Sequence, residues 1–272
     1  MRDPVRAAVL VPAAGLGLRL GGGLPKALRE LGDVPMLVHA LRSLLAAPCV
    51  GAAVVAAPPD GVADVRALIA RELGPDTPVT VVAGGATRQE SVRRALDALT
   101  GLHAACPVVL VHDAARPFVP VEVVEAVVAA VEAGAEAVVP VLPVVDTVKE
   151  VAADRVVRTV DRASLRAVQT PQGFRRDVLA AAHAASPEGD VTDDAGMVER
   201  VGGAVTVVPG SEEAFKVTRP FDLLLAEALL NRRRAAAGPS GSAGSVPPAS
   251  SGSSGSSASS VSSPSSSGAD RA

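Results

Sequence analysis

Apolar runs alternate with amphipathic segments over the first half of the chain. Short, uninterrupted runs of Ala, Val and Leu are typical of strands that are buried on both faces. We expect such strands at residues 7–11, 51–57, 79–83, 108–111 and 137–141. Apolar residues recur at helical spacing in residues 33–47, 62–73, 89–99 and 121–132. This alternation predicts an α/β fold with a Rossmann-like, doubly wound, mostly parallel sheet.

The pattern changes after residue 141. Residues 146–151 and 155–160 alternate apolar and polar side chains on either side of an Ala-Ala-Asp link, which predicts an antiparallel β-hairpin. We expect this hairpin, about residues 143–163, to protrude from the sheet as an arm. Further elements are predicted at residues 168–170 and 204–208 (strands) and at 177–185, 191–201 and 220–233 (helices). Thr192 is the expected N-cap of the second of these helices.

The C-terminal segment has a different composition. From residue 235 to 272 the chain consists mainly of Ser, Gly, Pro and Ala, without periodicity. Such a segment buries too little apolar surface to offset the entropy cost of ordering, and we expect it to be disordered. The predicted organisation is one folded α/β domain over residues 1–234 and a disordered tail over residues 235–272.

The amino-acid composition narrows the classes of protein to which this chain can belong. Hydrophobic residues make up 48 % of the chain but aromatic residues only 1 %, so the core is built from Val, Leu and Ala. A net charge of −3 argues against a general nucleic-acid binder. We find no transmembrane or signal-peptide pattern and expect a cytoplasmic protein without a membrane partner. Cys49 and Cys106 are expected to be buried free thiols, with a disulfide as the less favoured alternative.

The loop after the first strand is rich in glycine. Five glycines lie within residues 15–23, with Arg19 and Lys26 as fixed positive charges. Glycine allows close approach of the backbone to a ligand, and successive N–H groups can bind an anion. The loop matches neither common phosphate fingerprint, because Ala27 follows Lys26 and Leu20 stands where a dinucleotide motif has glycine. A plain structural turn is the alternative interpretation.

Lysine is rare in this chain. Only three of the 26 basic residues are lysines, namely Lys26, Lys149 and Lys216. A lysine retained in such an Arg-rich chain suggests a task that needs a compact point charge, such as binding phosphate oxygens. We apply this interpretation to Lys26 and Lys216, and regard Lys149 as retained by chance.

Two further motifs follow predicted strands, where doubly wound sheets bind their ligands. Arg88 and Ser91 come after Gly84-Gly85, and a helix cap with an exposed arginine is the alternative. Asp113 ends a buried strand and suits a divalent cation or a ribose hydroxyl, or else a simple turn cap. Small residues after it leave room for a bound group, and His112 is interpreted as structural. Together these groups predict binding of a polyphosphate with a metal ion and attack on a phosphorus centre.

Seven motifs in order resemble the 2-C-methyl-D-erythritol 4-phosphate cytidylyltransferases over about residues 5–233. They are VPAAGLGLRLGGGLPKAL, GGATRQESV, VHDAARP, DTVKEV, TVDRASLRAVQTPQGF, VTDDAG and FKVTRPFDL. The resemblance implies a homodimer that transfers CMP from CTP to the methylerythritol phosphate with Mg²⁺, in the non-mevalonate isoprenoid pathway.

The resemblance also implies roles for individual residues. Around the triphosphate it places Ala13, Ala14, Gly15, Gly17, Arg19 and Lys26. At the cytosine and ribose it places Gly84, Arg88 and Ser91, with Ala114 also in the nucleotide site. Asp113 and Lys216 would lie at the reacting phosphates, with Asp113 near Mg²⁺. Thr147 and Arg162 of the arm would bind the polyol phosphate in the other subunit, and Thr192 would contribute from its own.

The chain departs from the family pattern at two positions and leaves several alternatives open. Ala86 stands where we expect an acidic residue, and Ala27 where we expect Gln. A ribitol 5-phosphate cytidylyltransferase shares the fold and most motifs. Sugar-1-phosphate and molybdopterin nucleotidyltransferases are more distant alternatives. A nucleotide-binding module without activity is the non-enzyme alternative, although Lys26, Asp113 and Lys216 are all present.

Overall fold

A computed structural model describes residues 6–15, 25–102, 106–186 and 192–236. The strands are β1 (Ala7–Pro12), β2 (Glu30–Leu31), β3 (Val34–Pro35), β4 (Val50–Ala57), β5 (Val79–Ala83), β6 (Val108–Val111), β7 (Ala137–Pro143), β8 (Val148–Ala152), β9 (Arg155–Val160), β10 (Arg166–Val168), β11 (Gln172–Arg175) and β12 (Val205–Pro209). The helices are α1 (Met36–Leu45), α2 (Val62–Leu73), α3 (Arg88–Leu102), α4 (Val121–Glu132), α5 (Arg176–Ala185), α6 (Asp194–Arg200) and α7 (Pro220–Ala236).

The central sheet has eight strands and is mostly parallel. Its order is β5-β4-β1-β6-β11-β7-β12, and β10 lies against the same edge of β7 as β11. Strands β10 and β11 pair antiparallel with their neighbours, whereas the β1–β4, β1–β6, β4–β5 and β7–β12 pairs are parallel. The predicted doubly wound, mostly parallel fold is confirmed.

Helices cover both faces of this sheet because the buried strands are apolar on both sides. Val9 and Val11 of β1 belong to a core shared with α1, α2 and α4. Ala8 and Leu10 of the same strand face a second core, shared with α3, α5 and α6. Side chains alternate along a strand, so one short apolar segment supplies both layers.

A third apolar cluster, in which Leu229 and Leu230 of α7 pack with Phe118, attaches this helix to the rest of the domain. Arg233 stacks over the Phe118 ring, with its guanidinium carbon 5.0 Å from the ring centroid. The N–H of Val217 donates to the carbonyl of Ala115 at 2.8 Å. This bond joins the segment before α7 to the loop after β6 and so brings the neighbouring Lys216 close to that loop.

The predicted hairpin arm is present and forms a separate two-stranded sheet. Strands β8 and β9 pair antiparallel around a turn in which Ala153 has φ = 52°. The arm is largely exposed, and Lys149 donates to the Thr159 hydroxyl across the two strands at 2.7 Å. This bond gives Lys149 a local structural partner.

Three local predictions were wrong in detail. Helix α1 begins at Met36, after an unpredicted β2–β3 hairpin whose turn residues Gly32 and Asp33 both have positive φ. The strand expected at residues 168–170 ends at Val168, and a second strand begins at Gln172. Helix α6 is capped by Asp193 and not by Thr192.

The correction at α6 has a direct geometric reason. One Asp193 oxygen accepts the N–H of Gly196 at 3.0 Å, and the residue has the extended backbone of an N-cap. Helix α7 continues to Ala236, two residues beyond the predicted domain boundary. The rest of the predicted tail, residues 237–272, lies outside the described residues.

Cys49 and Cys106 are both free and buried, as expected. Within the described part of the chain, every helix is too short or too polar to cross a membrane.

Candidate active site

A cavity of about 260 Å³ lies beyond the carboxyl ends of β1, β5 and β6. Parallel strands end at one edge of a sheet, so the loops that follow them meet there. The cavity is lined by Pro12, Ala13, Ala14, Gly15, Lys26, Ala27, Gly85, Ala86, Thr87, Arg88, Ser91, Asp113, Ala114, Ala115 and Lys216. Segments far apart in the sequence therefore build one site.

Most of the predicted nucleotide and phosphate residues meet in this cavity. They are Ala13, Ala14, Gly15, Lys26, Arg88, Ser91, Asp113, Ala114 and Lys216. Gly84 lies directly behind the lining, where an added Cβ would come within 2.6 Å of the Ala14 Cβ and 3.0 Å of the Ala57 carbonyl oxygen. Only glycine allows the loops after β1 and β5 to approach this closely. Gly17 and Arg19 lie outside the described residues.

The predicted polyol-phosphate residues do not line this cavity within a single chain. Thr147, Arg162 and Thr192 are all exposed. Arg162 belongs to the base of the arm, where its guanidinium donates to the carbonyl of Val145. The expectation that Thr147 and Arg162 act in a second subunit stays a prediction.

Asp113 is the electrostatic centre of the cavity. Its Oδ2 lies 2.7 Å from Nζ of Lys216 and its Oδ1 lies 3.4 Å from Nε of Arg88. Only 13 % of its side chain is exposed. Burial alone would raise the pKa of this carboxyl, but the charges of Arg88 and Lys216 outweigh burial and hold the pKa well below its usual range. Asp113 is therefore a carboxylate at neutral pH.

The backbone of Asp113 is held by two residues behind it. Its N–H donates to the Thr170 hydroxyl oxygen at 3.0 Å, and that hydroxyl lies 3.2 Å from Nδ1 of His112. Nε2 of His112 lies 3.0 Å from the carbonyl oxygen of Arg116. Burial lowers the pKa of His112 to about 4, so its ring is neutral at neutral pH, with the Nε2 proton assigned from this network.

These contacts support the structural interpretation of His112, because both ring nitrogens are occupied. Thr170 was missed as a site residue by sequence reasoning. Thr170 lies beside the carboxyl end of β6 because it precedes β11, which runs antiparallel to β6, and no local sequence pattern indicates this.

A side chain from α3 braces the glycine loop at residues 84–86. The N–H of Ala86 donates to Oε2 of Glu90 at 2.7 Å, and the other carboxylate oxygen of Glu90 pairs with Arg94 at 2.5 Å. Arg94 also donates to the carbonyl of Gly84 at 2.8 Å. A Cβ on Gly85 would lie 2.3 Å from the Glu90 side chain, so a larger residue there would require that side chain to move. Glu90 thus supplies a carboxylate to this loop but does not line the cavity, and position 86 itself has none.

Arg88 is held from the opposite side by Asp194, which the sequence analysis did not assign to the site. Its Nη1 donates to Oδ2 of Asp194 at 2.6 Å, and Oδ1 of Asp194 accepts a hydrogen bond from Nε2 of His183 at 3.1 Å. The Asp194 side chain is fully buried. The sequence signal was the adjacent pair Asp193-Asp194, of which one residue suffices as a cap.

The fold and this site define a class of protein. A doubly wound sheet with a close-packed glycine loop, two lysines, an arginine and an ionised aspartate at its carboxyl edge is typical of nucleotide-binding enzymes that act at phosphorus centres. The family model for 2-C-methyl-D-erythritol 4-phosphate cytidylyltransferase matches residues 7–232. The chain belongs to this family.

Individual relatives agree with that assignment. A curated protein of that name from Streptomyces coelicolor is 57 % identical over 245 residues, covering 87 % of this chain and 89 % of the relative. The protein of that name from Salinibacter ruber is 49 % identical, with coverage of 82 % and 92 %. A crystal structure of the enzyme from Thermus thermophilus matches with a TM-score of 0.68 and 38 % identity, over 83 % of this chain and 99 % of that chain.

Proposed function

We propose that this protein transfers CMP from CTP to 2-C-methyl-D-erythritol 4-phosphate, forming 4-CDP-2-C-methyl-D-erythritol and pyrophosphate. The observation that carries the proposal is the meeting of Lys26, Arg88, Asp113 and Lys216 around one cavity, in a chain of this family. Lysine and arginine are the residues that bind phosphate oxygens, as point charges and as planar donors respectively.

The chemistry requires positioning more than acid–base catalysis. A phosphate monoester has a second pKa near ~6 and is largely a dianion at neutral pH. One of its oxygens attacks the α-phosphorus of CTP, the bond from that phosphorus to the bridging oxygen breaks, and pyrophosphate leaves with the electron pair. Lys26, Lys216 and Arg88 offset the repulsion between the two anions. The proposed reaction uses no proton transfer from His112.

Asp113 suits a Mg²⁺ ion that arrives with the nucleotide. Within the described residues no group of three or more His, Cys, Asp or Glu side chains could hold a metal ion by itself. Mg²⁺ commonly binds one or two carboxylates together with substrate phosphates, and Asp113 supplies one ionised carboxylate. When bound there, Mg²⁺ would neutralise charge on the phosphate oxygens.

We further propose that the protein acts as a homodimer through its arm. Val151 and Val156 oppose each other across the arm and are 61 % and 58 % exposed, and Val157 beside them is 58 % exposed. Apolar side chains that are exposed together on a protruding hairpin favour burial against a second chain. In that assembly Thr147 and Arg162 would bind the polyol phosphate in the partner's cavity, with Thr192 contributing from its own chain.

The two buried free thiols fit the reducing conditions of the cytoplasm, where we propose that the reaction takes place.

Magnesium-dependent pyrophosphate release from CTP tests the activity. Methylerythritol 4-phosphate and ribitol 5-phosphate should be offered in parallel, because a ribitol-phosphate enzyme would share the fold. We expect release with the first acceptor alone and its loss when Mg²⁺ is chelated. Release with ribitol 5-phosphate alone would overturn the proposed acceptor, and no release with either acceptor would overturn the proposed reaction.

A further inference from the structure

A line of hydrogen-bonded groups runs from the buried face of helix α5 to the cavity. It begins at His183 and passes to Asp194 at 3.1 Å and from Asp194 to Arg88 at 2.6 Å. It continues from Arg88 to Asp113 at 3.4 Å and ends at Lys216, 2.7 Å from Asp113. The last two groups of this line, Asp113 and Lys216, line the cavity and are proposed to work at the reacting phosphates. The first two, His183 and Asp194, have so far been given no part in the reaction.

We propose that Asp194 is a positioning residue that holds Arg88 away from full pairing with Asp113 and so keeps the Asp113 charge available to the cavity. The inference rests on the proposed function and assigns to it a buried residue that does not line the cavity.

The geometry of Arg88 carries this proposal. Its guanidinium is divided between two carboxylates, and the contact with Asp194 at 2.6 Å is much shorter than the contact with Asp113 at 3.4 Å. Arginine and a carboxylate prefer a bidentate pair with two short bonds. Asp194 therefore competes with Asp113 for Arg88, and it prevents the close pair that would otherwise form in the cavity.

The burial of Asp194 argues that its charge has a specific use. Its side chain is fully buried, and a buried carboxylate is costly unless it is paired and hydrogen-bonded. Capping does not explain it, because Asp193 already caps α6. His183, itself almost fully buried, fixes the second oxygen and so sets the direction in which the first oxygen faces Arg88.

Within this line of groups the charges balance because of Asp194. Arg88 and Lys216 are positive, and Asp113 and Asp194 are negative. If Asp194 becomes neutral, Arg88 keeps an uncompensated charge and moves toward Asp113. The cavity then attracts a free polyphosphate more strongly but a metal cation more weakly, so the two effects have opposite signs.

The test uses the full chain with Asp194→Asn, an isosteric change that removes the charge. We expect the half-saturating Mg²⁺ concentration for turnover to rise by about tenfold and kcat to fall by about 10- to 100-fold. Calorimetric titration with CTP in the presence of EDTA should show a Kd equal to or lower than that of the unchanged protein. Asp177→Asn, which alters an exposed Arg175–Asp177 pair at the start of α5, is the matched control and should change neither quantity.

A double variant, Arg88→Gln with Asp194→Asn, removes both charges and leaves no unpaired buried ion. Because Asp194 acts through Arg88, the half-saturating Mg²⁺ concentration of the double variant should lie within about twofold of that of Arg88→Gln alone. If Asp194→Asn alone does not fold, the comparison of this double variant with Arg88→Gln still tests the proposal. A conservative His183→Gln change, which keeps an N–H donor, should leave Mg²⁺ saturation unchanged.

Three results would overturn the proposal. The first is a half-saturating Mg²⁺ concentration that does not change in Asp194→Asn. The second is a parallel weakening of Mg²⁺ and metal-free CTP binding with a lower melting temperature, which indicates a purely structural role. The third is a tenfold difference in half-saturating Mg²⁺ concentration between the double variant and Arg88→Gln alone. Because CTP binding in EDTA needs no acceptor, these results are separate from failure of the proposed reaction, which appears as absent pyrophosphate release in the unchanged protein.

Discussion

The cavity and the hairpin arm lie in the same chain but are stabilised in opposite ways. Around the cavity, Asp113 is joined to Arg88, Lys216 and Thr170, which come from three distant parts of the sequence. In the arm, Lys149 bonds only across to β9. The cavity is therefore held in place by the whole fold, whereas the arm depends on its own two strands.

The ion pairs of the cavity and of the arm differ in how far they are removed from water. The arm pair Glu150–Arg158 is about half exposed on both sides, and such pairs contribute about 0–1 kcal/mol. The pair between Arg88 and Asp194 is largely removed from water, so loss of one partner leaves a buried charge. A charged residue in the cavity should thus affect function strongly, while a charged residue in the arm should matter little unless a second chain covers it.

The sharpest test of this comparison uses two lysines. Lys26→Ala should lower kcat by about 10²- to 10³-fold, because the phosphates lose a fixed charge in a partly desolvated site. Lys149→Ala in the arm should change kcat less than about twofold. Steady-state pyrophosphate release measures both, with melting temperatures to show that both variants fold. Unchanged turnover in Lys26→Ala would remove Lys26 from the proposed site.

Substitutions in the core beneath the cavity should lower the free energy of unfolding far more than substitutions in the arm. Leu110→Ala in the fully buried β6 should lower the free energy of unfolding by about 2–5 kcal/mol, since it leaves a cavity between packed layers. Val156→Ala in the arm should change it by less than about 0.5 kcal/mol. Urea unfolding below the concentration at which chains associate makes the comparison. Equal losses at the two positions would show that the arm is part of the cooperative core.

The buried His112 predicts a pH dependence that belongs to the cavity. Its folded-state pKa of about 4 lies below the unfolded value of 6.5, so the unfolded chain binds more protons between these values. Its contribution is complete above pH 6.5 and is lost as the pH falls toward 4. Between about pH 6.5 and 5 we expect a loss of about 2 kcal/mol that is absent in His112→Gln.

His39, whose pKa burial also lowers, adds to the slope in both proteins. The difference between the two urea-unfolding series is therefore the relevant quantity. Parallel pH profiles for the unchanged protein and the variant would contradict the assignment to His112.

The smallest effect tests whether a second chain covers the arm. Val151→Asp with Val156→Asp should leave the folded chain intact, because both side chains are exposed, but should convert the proposed dimer to a monomer. The acceptor KM should rise by about tenfold while the Kd for CTP stays the same. Sedimentation and acceptor kinetics measure the two changes. A variant that remains dimeric with normal kinetics would show that the arm does not form the interface.

Local sequence patterns determined much of the secondary structure. The predicted bounds of α2, α4, β5, β6 and β9 agree with the structure to the residue. Apolar periodicity reports which residues face a core, and strands and helices differ in period, so no tertiary information was needed. Position after a strand also indicated Lys26, Arg88 and Asp113, because all parallel strands end at the same edge.

Only the tertiary structure decided how these side chains pair. Arg88 and Asp194 are separated by 106 positions, and no local pattern connects them. The N–H of Ala86 donates to Glu90 because the loop folds back onto α3. The turn at Gly32 lies against α7, where an added Cβ would come within 2.6 Å of Leu230. Periodicity describes one element at a time, whereas charge pairing and close approach depend on which distant elements the fold brings together.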